Sequence, residues 1–242
     1  MRLDKYLADC GLGSRTDIKT FLKKKRVTVN GKIETSPKYQ VNQETDSVCF
    51  DGLEQSYETF VYYLLNKPKG VISATEDKSH RTVLDLLEVS DRKKGIFPVG
   101  RLDKDTHGLL LLTNNGALAH AMLSPKKHVD KRYRAQIEGV MTEDDQKSFA
   151  EGIVLKDFTS QPAQLTILEV DTDLETSLVD ICIAEGKFHQ VKRMVAACGK
   201  EVTDLQRLQM GPLSLDETLE QGNYRRLTDQ ELESLAVFGV PL

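Results

Sequence analysis

The first residues of the chain carry apolar side chains at the spacing of a helix. Leu3, Tyr6 and Leu7 fall on one helical face, and Gly11-Leu12-Gly13 predicts the end of this helix. Ser14 predicts the start of a second helix, because an Asp three residues later completes a capping-box pattern. Two short helices are therefore expected at the start of the chain.

Short strands are predicted to follow the second helix. That helix ends in the basic run 23–26, where cations suit the negative end of the helix dipole. Val27-Thr28-Val29 alternates as a strand does, and Asn30-Gly31 is a strong hairpin turn. Val48-Cys49-Phe50 predicts another strand, closed by a turn at Asp51-Gly52.

A polar stretch divides the chain into two predicted domains. Residues 53–59 indicate a linker, so we expect one domain over residues 1–57 and a second over residues 58–242. The second domain opens with a predicted strand over 60–65, which is broken by a Pro-Gly loop at 66–70.

Strands and helices then mix without a regular strand-helix-strand repeat. Strands are predicted at residues 109–113, 131–139, 163–170 and 178–183. Helices are predicted at residues 117–123, 142–150 and 189–198, and after Thr228, which forms a capping box with Glu231. This pattern predicts an α+β protein: a small α+β domain followed by a larger domain with a mixed, mainly antiparallel sheet.

Charge is distributed unevenly over these two parts. The first 50 residues hold ten Lys and Arg against six Asp and Glu, whereas the whole chain has a net charge of −4. A basic N-terminal part on an acidic remainder indicates a small anion-binding module attached to a different kind of domain.

Composition argues against several classes of protein. The four cysteines are far apart, and the chain lacks a CxxC pair and an HExxH sequence, so we expect no metal site. A Walker loop and a complete GxGxxG are also missing, which predicts no cofactor. No apolar run is long enough for a membrane span, and charges stand where a signal peptide needs an apolar core, so a cytoplasmic protein is expected. We also expect a monomer.

Six basic residues of the N-terminal part are candidates for binding RNA. They are Arg2, Lys5, Arg15, Lys23, Lys24 and Arg26. Such a cluster either forms a solvated surface or contacts phosphates. The sequences Met1-Arg2-Leu3-Asp4-Lys5-Tyr6-Leu7, Ser14-Arg15 and Arg26-Val27-Thr28-Val29-Asn30-Gly31-Lys32 resemble an S4 RNA-binding domain, which favours phosphate contacts.

The densest group of reactive side chains lies just before the apolar run at 109–113. The segment Pro98 to Leu109 contains Arg101, Asp103, Asp105 and Thr106. On chemistry alone, Asp103 is a nucleophile, a general base or a metal ligand shared with Asp105. The alternative is a structural role, in which Asp103 and Asp105 cap a turn or form an ion pair with Arg101. The residues by themselves do not separate these roles.

The motifs around this segment resemble those of pseudouridine synthases. Gly100-Arg101-Leu102-Asp103 with Thr106 and Gly108 is similar to the central motif of that family, in which the aspartate is essential. Further motifs follow in family order: Asn66 to Gly70, Lys131-Arg132-Tyr133, Glu185 to Met194 and Leu208 to Leu213.

The resemblance also implies roles for individual residues. It assigns catalysis to Asp103, Tyr133 and Lys192. Substrate contacts are expected from Arg101, Arg193, Lys67 and Lys69. A cation should stabilise the charged form of Asp103, and Lys192 is the expected residue with Arg193 as its rival. His107 and His189 are not required by the family's mechanism, and His189 is interpreted as a structural residue near the start of its helix.

An S4 domain followed by this catalytic domain resembles the RsuA-like branch of ribosomal RNA pseudouridine synthases. The expected reaction is isomerisation of one uridine in small-subunit (16S) rRNA or its assembly intermediate, by base flipping. The large-subunit (23S) enzyme of the same branch is an alternative. A second alternative is a non-catalytic RNA-binding protein of ribosome assembly. A third is a magnesium-dependent phosphoryl-transfer enzyme or nuclease.

Overall fold

The computed structural model describes residues 1–43, 45–55, 57, 59–92 and 95–242. Packing divides the chain into two compact units. The first contains Met1–Val61 with Glu88–Gly95, and the second contains Tyr62–Leu87 with Ile96–Leu242. The domain boundary between residues 57 and 58 stays a prediction. Two residues of the predicted linker, Ser56 and Glu58, lie outside the described residues.

The first unit has the two helices and the hairpin that the sequence predicts. Its elements are helices α1 (Leu3–Asp9) and α2 (Arg15–Lys23) and strands β1 (Val27–Val29), β2 (Lys32–Ile33), β3 (Val48–Phe50) and β4 (Leu53–Glu54). The strands form an antiparallel sheet in the order β2-β1-β3-β4. The capping box is confirmed, since the Asp17 amide donates to Ser14 Oγ and the Ser14 amide donates to Asp17 Oδ2.

Turn chemistry explains the hairpins of this unit. Asn30 and Gly31 both have positive φ, at 50° and 76°, as a two-residue hairpin turn requires. The expected linker was wrong in its first two residues, because Leu53–Glu54 pairs with β3 after the Asp51-Gly52 turn.

The second unit contains the remaining regular elements. Its strands are β5 (Tyr62–Lys67), β6 (Phe97–Pro98), β7 (His107–Thr113), β8 (Lys131–Glu138), β9 (Gln164–Asp171), β10 (Thr176–Ile183), β11 (Glu201–Met210), β12 (Leu213–Ser214) and β13 (Tyr224–Arg226). Its helices are α3 (Gly116–Leu123), α4 (Glu143–Glu151), α5 (Gln190–Ala197) and α6 (Asp229–Ser234). Among the described residues, no helix combines the length and the apolar composition that crossing a membrane requires.

The strands of this unit form one mixed sheet, which confirms the α+β prediction. Its order is β13-β5-β7-β11-β8-β10-β9, with β6 beside β7 and β12 beside β11. Neighbouring strands run antiparallel except β7 and β11, within the part of the chain that the structure describes. The apolar strand β7 is buried along its whole length, as its composition predicts.

The sequence-based prediction missed β11, the ten-residue strand beside β7. Its sequence Glu-Val-Thr-Asp-Leu-Gln-Arg-Leu-Gln-Met is rich in polar residues, and Arg207 in its middle is fully buried. Strand prediction depends on apolar alternation, so a strand with an internal buried arginine gives a weak signal. The strand β5 also continues through Asn66 and Lys67, which were expected in a loop.

Gly108 allows the two halves of the sheet to join. It lies opposite Arg207 in the parallel pair of β7 and β11 and has a φ of +101°. A β-carbon at this position would lie against the Arg207 carbonyl oxygen and 2.8 Å from the Arg207 nitrogen. Only glycine permits this backbone contact.

We predict that Gly108→Ala lowers the free energy of unfolding by roughly 2–6 kcal/mol, because backbone strain and overpacking act together. Urea unfolding followed by circular dichroism measures the change. Gly116→Ala is the matched control, since its β-carbon meets nothing within 4 Å at the start of α3. A Gly108→Ala protein as stable as the Gly116→Ala protein would contradict the argument.

Candidate active site

Asp103 lies on a loop that links β6 to β7. Next to it, Leu102 is buried and its main chain is held on both sides by Ser73. The Leu102 amide donates to Ser73 Oγ at 3.0 Å, and Ser73 Oγ donates to the Leu102 carbonyl at 2.9 Å. The Asp103 side chain remains 30% exposed and faces a cleft. The loop therefore presents a carboxylate from a fixed main chain.

A buried lysine holds the same loop from behind. Lys67 Nζ donates to three carbonyl oxygens, those of Pro68 at 3.1 Å, Asp103 at 3.0 Å and Thr106 at 2.8 Å. An ammonium has three donors, and this arrangement uses all of them. The expectation that Lys67 contacts RNA phosphates was wrong, because its side chain has no exposed surface.

The charge of Lys67 also acts on the loop. Burial lowers the pKa of the Lys67 ammonium to about 8, while the Asp103 and Asp105 carboxylates oppose that decrease. The group is therefore still charged at neutral pH, with the two aspartates as its counterions. At neutral pH a cation thus lies under the Asp103 loop.

The other residues of the Asn66 to Gly70 motif also support structure. The Gly70 amide donates to the Lys104 carbonyl at 2.7 Å, and the Asn66 side-chain amide donates to the Leu219 carbonyl at 2.7 Å. Lys69 is half exposed and forms an ion pair with Asp204. Its proposed phosphate contact would need this pair to open.

The cleft in front of Asp103 has a volume of about 220 Å³. It is lined by Arg101, Leu102, Asp103, Thr106, Tyr133, Ile183, Gly186, Lys187, Phe188, His189, Gln190, Val191, Lys192 and Leu205. The structure therefore brings together four residues that the sequence predicted, namely Arg101, Asp103, Tyr133 and Lys192. Lys67, Lys69 and Arg193 are not among the described residues that line it.

Tyr133 forms one wall of this cleft. It lies on β8, whose odd-numbered residues are buried and whose even-numbered residues are more exposed. The ring is only 8% exposed, so packing fixes its orientation. Arg101 is exposed at the cleft, and in the described part of the chain no ion pair joins it to Asp103 or Asp105.

The expected partner of Asp103 was wrong. Lys192 Nζ donates to both carboxylate oxygens of Asp105 at 2.6 Å. These hydrogen bonds lower the pKa of the Asp105 carboxyl, against the opposing effect of its partial burial. The rival residue, Arg193, forms an ion pair with Asp157. Both cations of this helix are therefore committed to other aspartates.

His189 is the side chain of α5 that reaches Asp103. Its Nε2 lies 3.4 Å from Asp103 Oδ1. His189 is the N-cap of α5, and its backbone is left-handed with a φ of 49°. Its place at the start of the helix is as predicted, but its contact with Asp103 was missed. A sequence-based assignment had no signal for this contact, because the two residues are distant along the chain.

A buried glutamine organises the turn before α5. Gln190 Nε2 donates to Glu185 Oε2 at 2.9 Å, and Gln190 Oε1 accepts from the Lys187 amide at 3.0 Å. The Gln161 amide also donates to Glu185 Oε2 at 2.9 Å. These bonds fix the main chain that carries Phe188 and His189.

His107 is buried and bonded on both ring nitrogens, as a structural residue would be. Its Nε2 pairs with Asp204 Oδ2 at 3.0 Å, and its Nδ1 pairs with Gln221 Nε2 at 3.0 Å. Since the Gln221 amide nitrogen only donates, Nδ1 accepts and Nε2 carries the proton.

The predicted RNA-binding residues of the first unit fall into two groups. Lys5, Arg15, Lys23 and Lys24 are exposed. Arg2 instead bonds to Asp4 at 2.7–3.0 Å. Arg26 bonds to Asp51 and lies over the rings of Phe21 and Phe50.

The two aspartates of the central motif differ in their surroundings. Asp105 gives both oxygens to Lys192, so a magnesium ion shared with Asp103 would have to displace an ammonium. In the ranges that the structure describes, no group of three or more His, Cys, Asp or Glu side chains is arranged to hold a metal ion.

Two families match this chain. Residues 61–197 match the family described as RNA pseudouridylate synthase, and residues 1–48 match the S4 domain. The chain is 44% identical to the Bacillus subtilis protein named uncharacterized RNA pseudouridine synthase YtzG, over 97% of this chain and 98% of the relative. A solved structure described as pseudouridylate synthase has a TM-score of 0.66 and 35% identity, and the match covers 97% of this chain and 99% of that one.

Relatives named for two different ribosomal subunits are almost equally similar to this chain. The ribosomal small subunit pseudouridine synthase A of Yersinia pestis is 39% identical over 97% of this chain and 98% of its own length. The ribosomal large subunit pseudouridine synthase B of Bacillus subtilis is 38% identical over 97% and 95%. Identity alone therefore does not separate the two.

We predict that Lys67→Met destabilises the protein by roughly 2–4 kcal/mol, because it leaves buried carbonyl oxygens without a donor. Residues 99–106 should also exchange amide hydrogens faster, as measured by mass spectrometry. Lys69→Met is the control and should cost less than about 1 kcal/mol, since it removes an exposed ion pair. Equal effects of the two substitutions would exclude a special role of Lys67.

Proposed function

The chain belongs to the RNA pseudouridylate synthase family and carries an S4 domain, and on this basis we propose that it converts one uridine of 16S rRNA to pseudouridine. It is a pseudouridine synthase, an isomerase, of the group whose relatives are named for small-subunit and large-subunit ribosomal RNA. The observation that carries the proposal is the shared cleft of Asp103 and Tyr133, with the carboxylate on a clamped loop.

The reaction needs a carboxylate close to the ribose. The N1–C1′ bond of uridine breaks, the uracil turns, and C5 bonds to C1′; C5 loses a proton and N1 gains one, so no cofactor is consumed. Asp103 either attacks C1′ or removes the 2′ proton. Both routes begin with an ionised carboxylate, and the Asp103 side chain is 30% exposed at the cleft, where a ribose can reach it.

Tyr133 is proposed to hold the flipped base. Extracting a nucleotide from a stack costs a few kcal/mol, and stacking on an aromatic ring returns ~1–3 kcal/mol. Because the two are comparable, stacking must be assisted by contacts outside the base. Arg101 is exposed at the same cleft, and we propose that it contacts a phosphate or fills the space left by the base.

We still propose Lys192 as a catalytic residue, although its partner is Asp105 and not the expected Asp103. Its ammonium lines the cleft but bonds to Asp105. We propose that the negative charge of the substrate competes with Asp105 for this ammonium. Arg193 and Lys69 would act on RNA in the same way, after leaving Asp157 and Asp204.

Small-subunit RNA is proposed as the substrate from two local sequences. Met1-Arg2-Leu3-Asp4-Lys5 and Ser124-Pro125-Lys126-Lys127-His128 resemble the small-subunit enzyme. Residues 125–127 form a short turn with exposed Lys126 and Lys127. Leu123, just before this turn, packs against Gly100. A β-carbon added at Gly100 would lie 2.9 Å from the Leu123 side chain, so the turn lies next to the Asp103 loop.

The S4 domain is proposed to supply phosphate contacts. Its exposed residues Lys5, Arg15, Lys23 and Lys24 are available for this role. The substrate is either free rRNA or an assembly intermediate of the small subunit. We propose that the protein works as a monomer in the cytoplasm.

We predict that Asp103→Asn abolishes pseudouridine formation while RNA affinity stays near that of the wild type. The amide removes the ionised oxygen that both routes need. Chemical mapping of 16S and 23S rRNA from a strain lacking the protein, complemented with each variant, measures the product and locates it.

Asp144→Asn is the control, since it makes the same chemical change at an exposed aspartate of α4, and it should keep activity. Restoration of a missing site in 23S instead of 16S would reject the small-subunit proposal. A strain that lacks no pseudouridine, together with RNA binding by the wild type, would favour the non-catalytic alternative.

We predict that Lys24→Gln weakens RNA binding and reduces the slope of log affinity against log salt by about 0.7–0.9, the value for one lost phosphate contact. Filter binding at a series of salt concentrations gives both quantities. Lys147→Gln removes an exposed lysine from α4 and should leave the slope unchanged. If both variants behave alike, Lys24 does not contact phosphate.

A further inference from the structure

We propose that Phe188 and His189 form a stacking platform for the nucleobase next to the target uridine. This inference rests on the proposed function, because it assigns a second base-binding site to the same RNA. Tyr133 would hold the flipped base, and the platform would hold a neighbour that stays in the strand.

The two rings already make a stack with one open side. Their centroids are 3.8 Å apart and their planes differ by 18°, so His189 covers one face of Phe188. Phe188 is nevertheless 72% exposed, which leaves its other face to solvent. A nucleobase has the flat shape that such a ring binds, whatever its sequence identity.

The platform is continuous with the catalytic cleft. Phe188 and His189 line it together with Asp103, and His189 Nε2 lies 3.4 Å from Asp103 Oδ1. A strand whose target sugar reaches Asp103 therefore passes directly beside these rings. Tyr133 lies on β8, whereas the platform lies just before α5. The two bases would therefore bind to two separate elements.

The main chain under the platform is rigid. Gln190 is buried, its Nε2 donates to Glu185 Oε2 and its Oε1 accepts from the Lys187 amide, which ties the residues before Phe188 to the start of α5. His189 is held as the N-cap of α5 and accepts from the Arg193 amide through its carbonyl at 2.9 Å. An exposed ring on a fixed main chain loses little conformational entropy on binding.

Charge around the platform suits a nucleic acid. Lys187 precedes Phe188, and its side chain is nearly half exposed. Its ammonium lies 3.7 Å from Glu185 Oε1 and 3.7 Å from the Phe158 ring centre. Arg101 is exposed in the same cleft. Cations beside an open aromatic face are the usual combination of single-strand binding sites.

Fluorescence of 2-aminopurine tests the platform without turnover. Two short single-stranded RNAs each contain one uridine, with 2-aminopurine on its 5′ side in one and on its 3′ side in the other. We expect the 2-aminopurine fluorescence of one of these two RNAs to be quenched when it binds to the wild type or to Phe188→Tyr. Phe188→Ala should bind without this quenching, and Leu174→Ala, which removes another exposed apolar side chain (73%), should behave as the wild type.

Steady-state kinetics on the mapped rRNA fragment give the second readout. Loss of base stacking should raise KM of Phe188→Ala roughly 5- to 150-fold, the equivalent of ~1–3 kcal/mol, with kcat nearly unchanged. Phe188→Tyr should restore KM.

The inference and the proposed function can fail separately. Lack of quenching by the wild type at both positions, or a Phe188→Ala protein that matches Leu174→Ala in both assays, would overturn the platform. A wild type that makes no pseudouridine would reject the proposed function, whereas quenching that depends on Phe188 would still support a base-binding platform.

Discussion

The buried ammonium of Lys67 is the interaction on which the site depends. It bonds to the carbonyls of Pro68, Asp103 and Thr106, and so joins the end of β5 to the loop before β7. An isolated charge in a protein interior is costly, and here three carbonyl dipoles and two nearby carboxylates compensate it. The same contacts that stabilise the lysine hold the Asp103 main chain in place. Stability and the position of the reactive carboxylate therefore have a common cause.

The sheet brings the two walls of the cleft together. Asp103 precedes β7, Tyr133 lies on β8, and β11 runs between these strands. The close approach of β7 and β11 at Gly108 sets the spacing between the strands that carry them. Leu205, on β11, lines the floor of the same cleft. The strand that sequence patterns missed thus lies between the strand that follows the Asp103 loop and the strand that carries Tyr133.

Several cations near the cleft form ion pairs with aspartates, whereas several cations of the S4 domain are exposed to solvent. Lys192, Arg193 and Lys69 each bond to an aspartate. Lys5, Arg15, Lys23 and Lys24 are exposed. Because exposed cations release counterions on binding RNA, the S4 domain suits affinity. The paired cations would have to leave their aspartates before they could contact an RNA.

Sequence by itself determined much of the local structure and the family to which the chain belongs. Helical spacing, the capping boxes at Ser14 and Thr228 and the Asn30-Gly31 turn specify elements through neighbouring residues, and the motif around Asp103 marks the carboxylate. Tertiary structure alone decided which charges meet. Lys67 lies in the interior, Lys192 pairs with Asp105, and His189 faces Asp103. Such pairings join residues that are distant along the chain, and a side chain's partner depends on packing that no local pattern encodes.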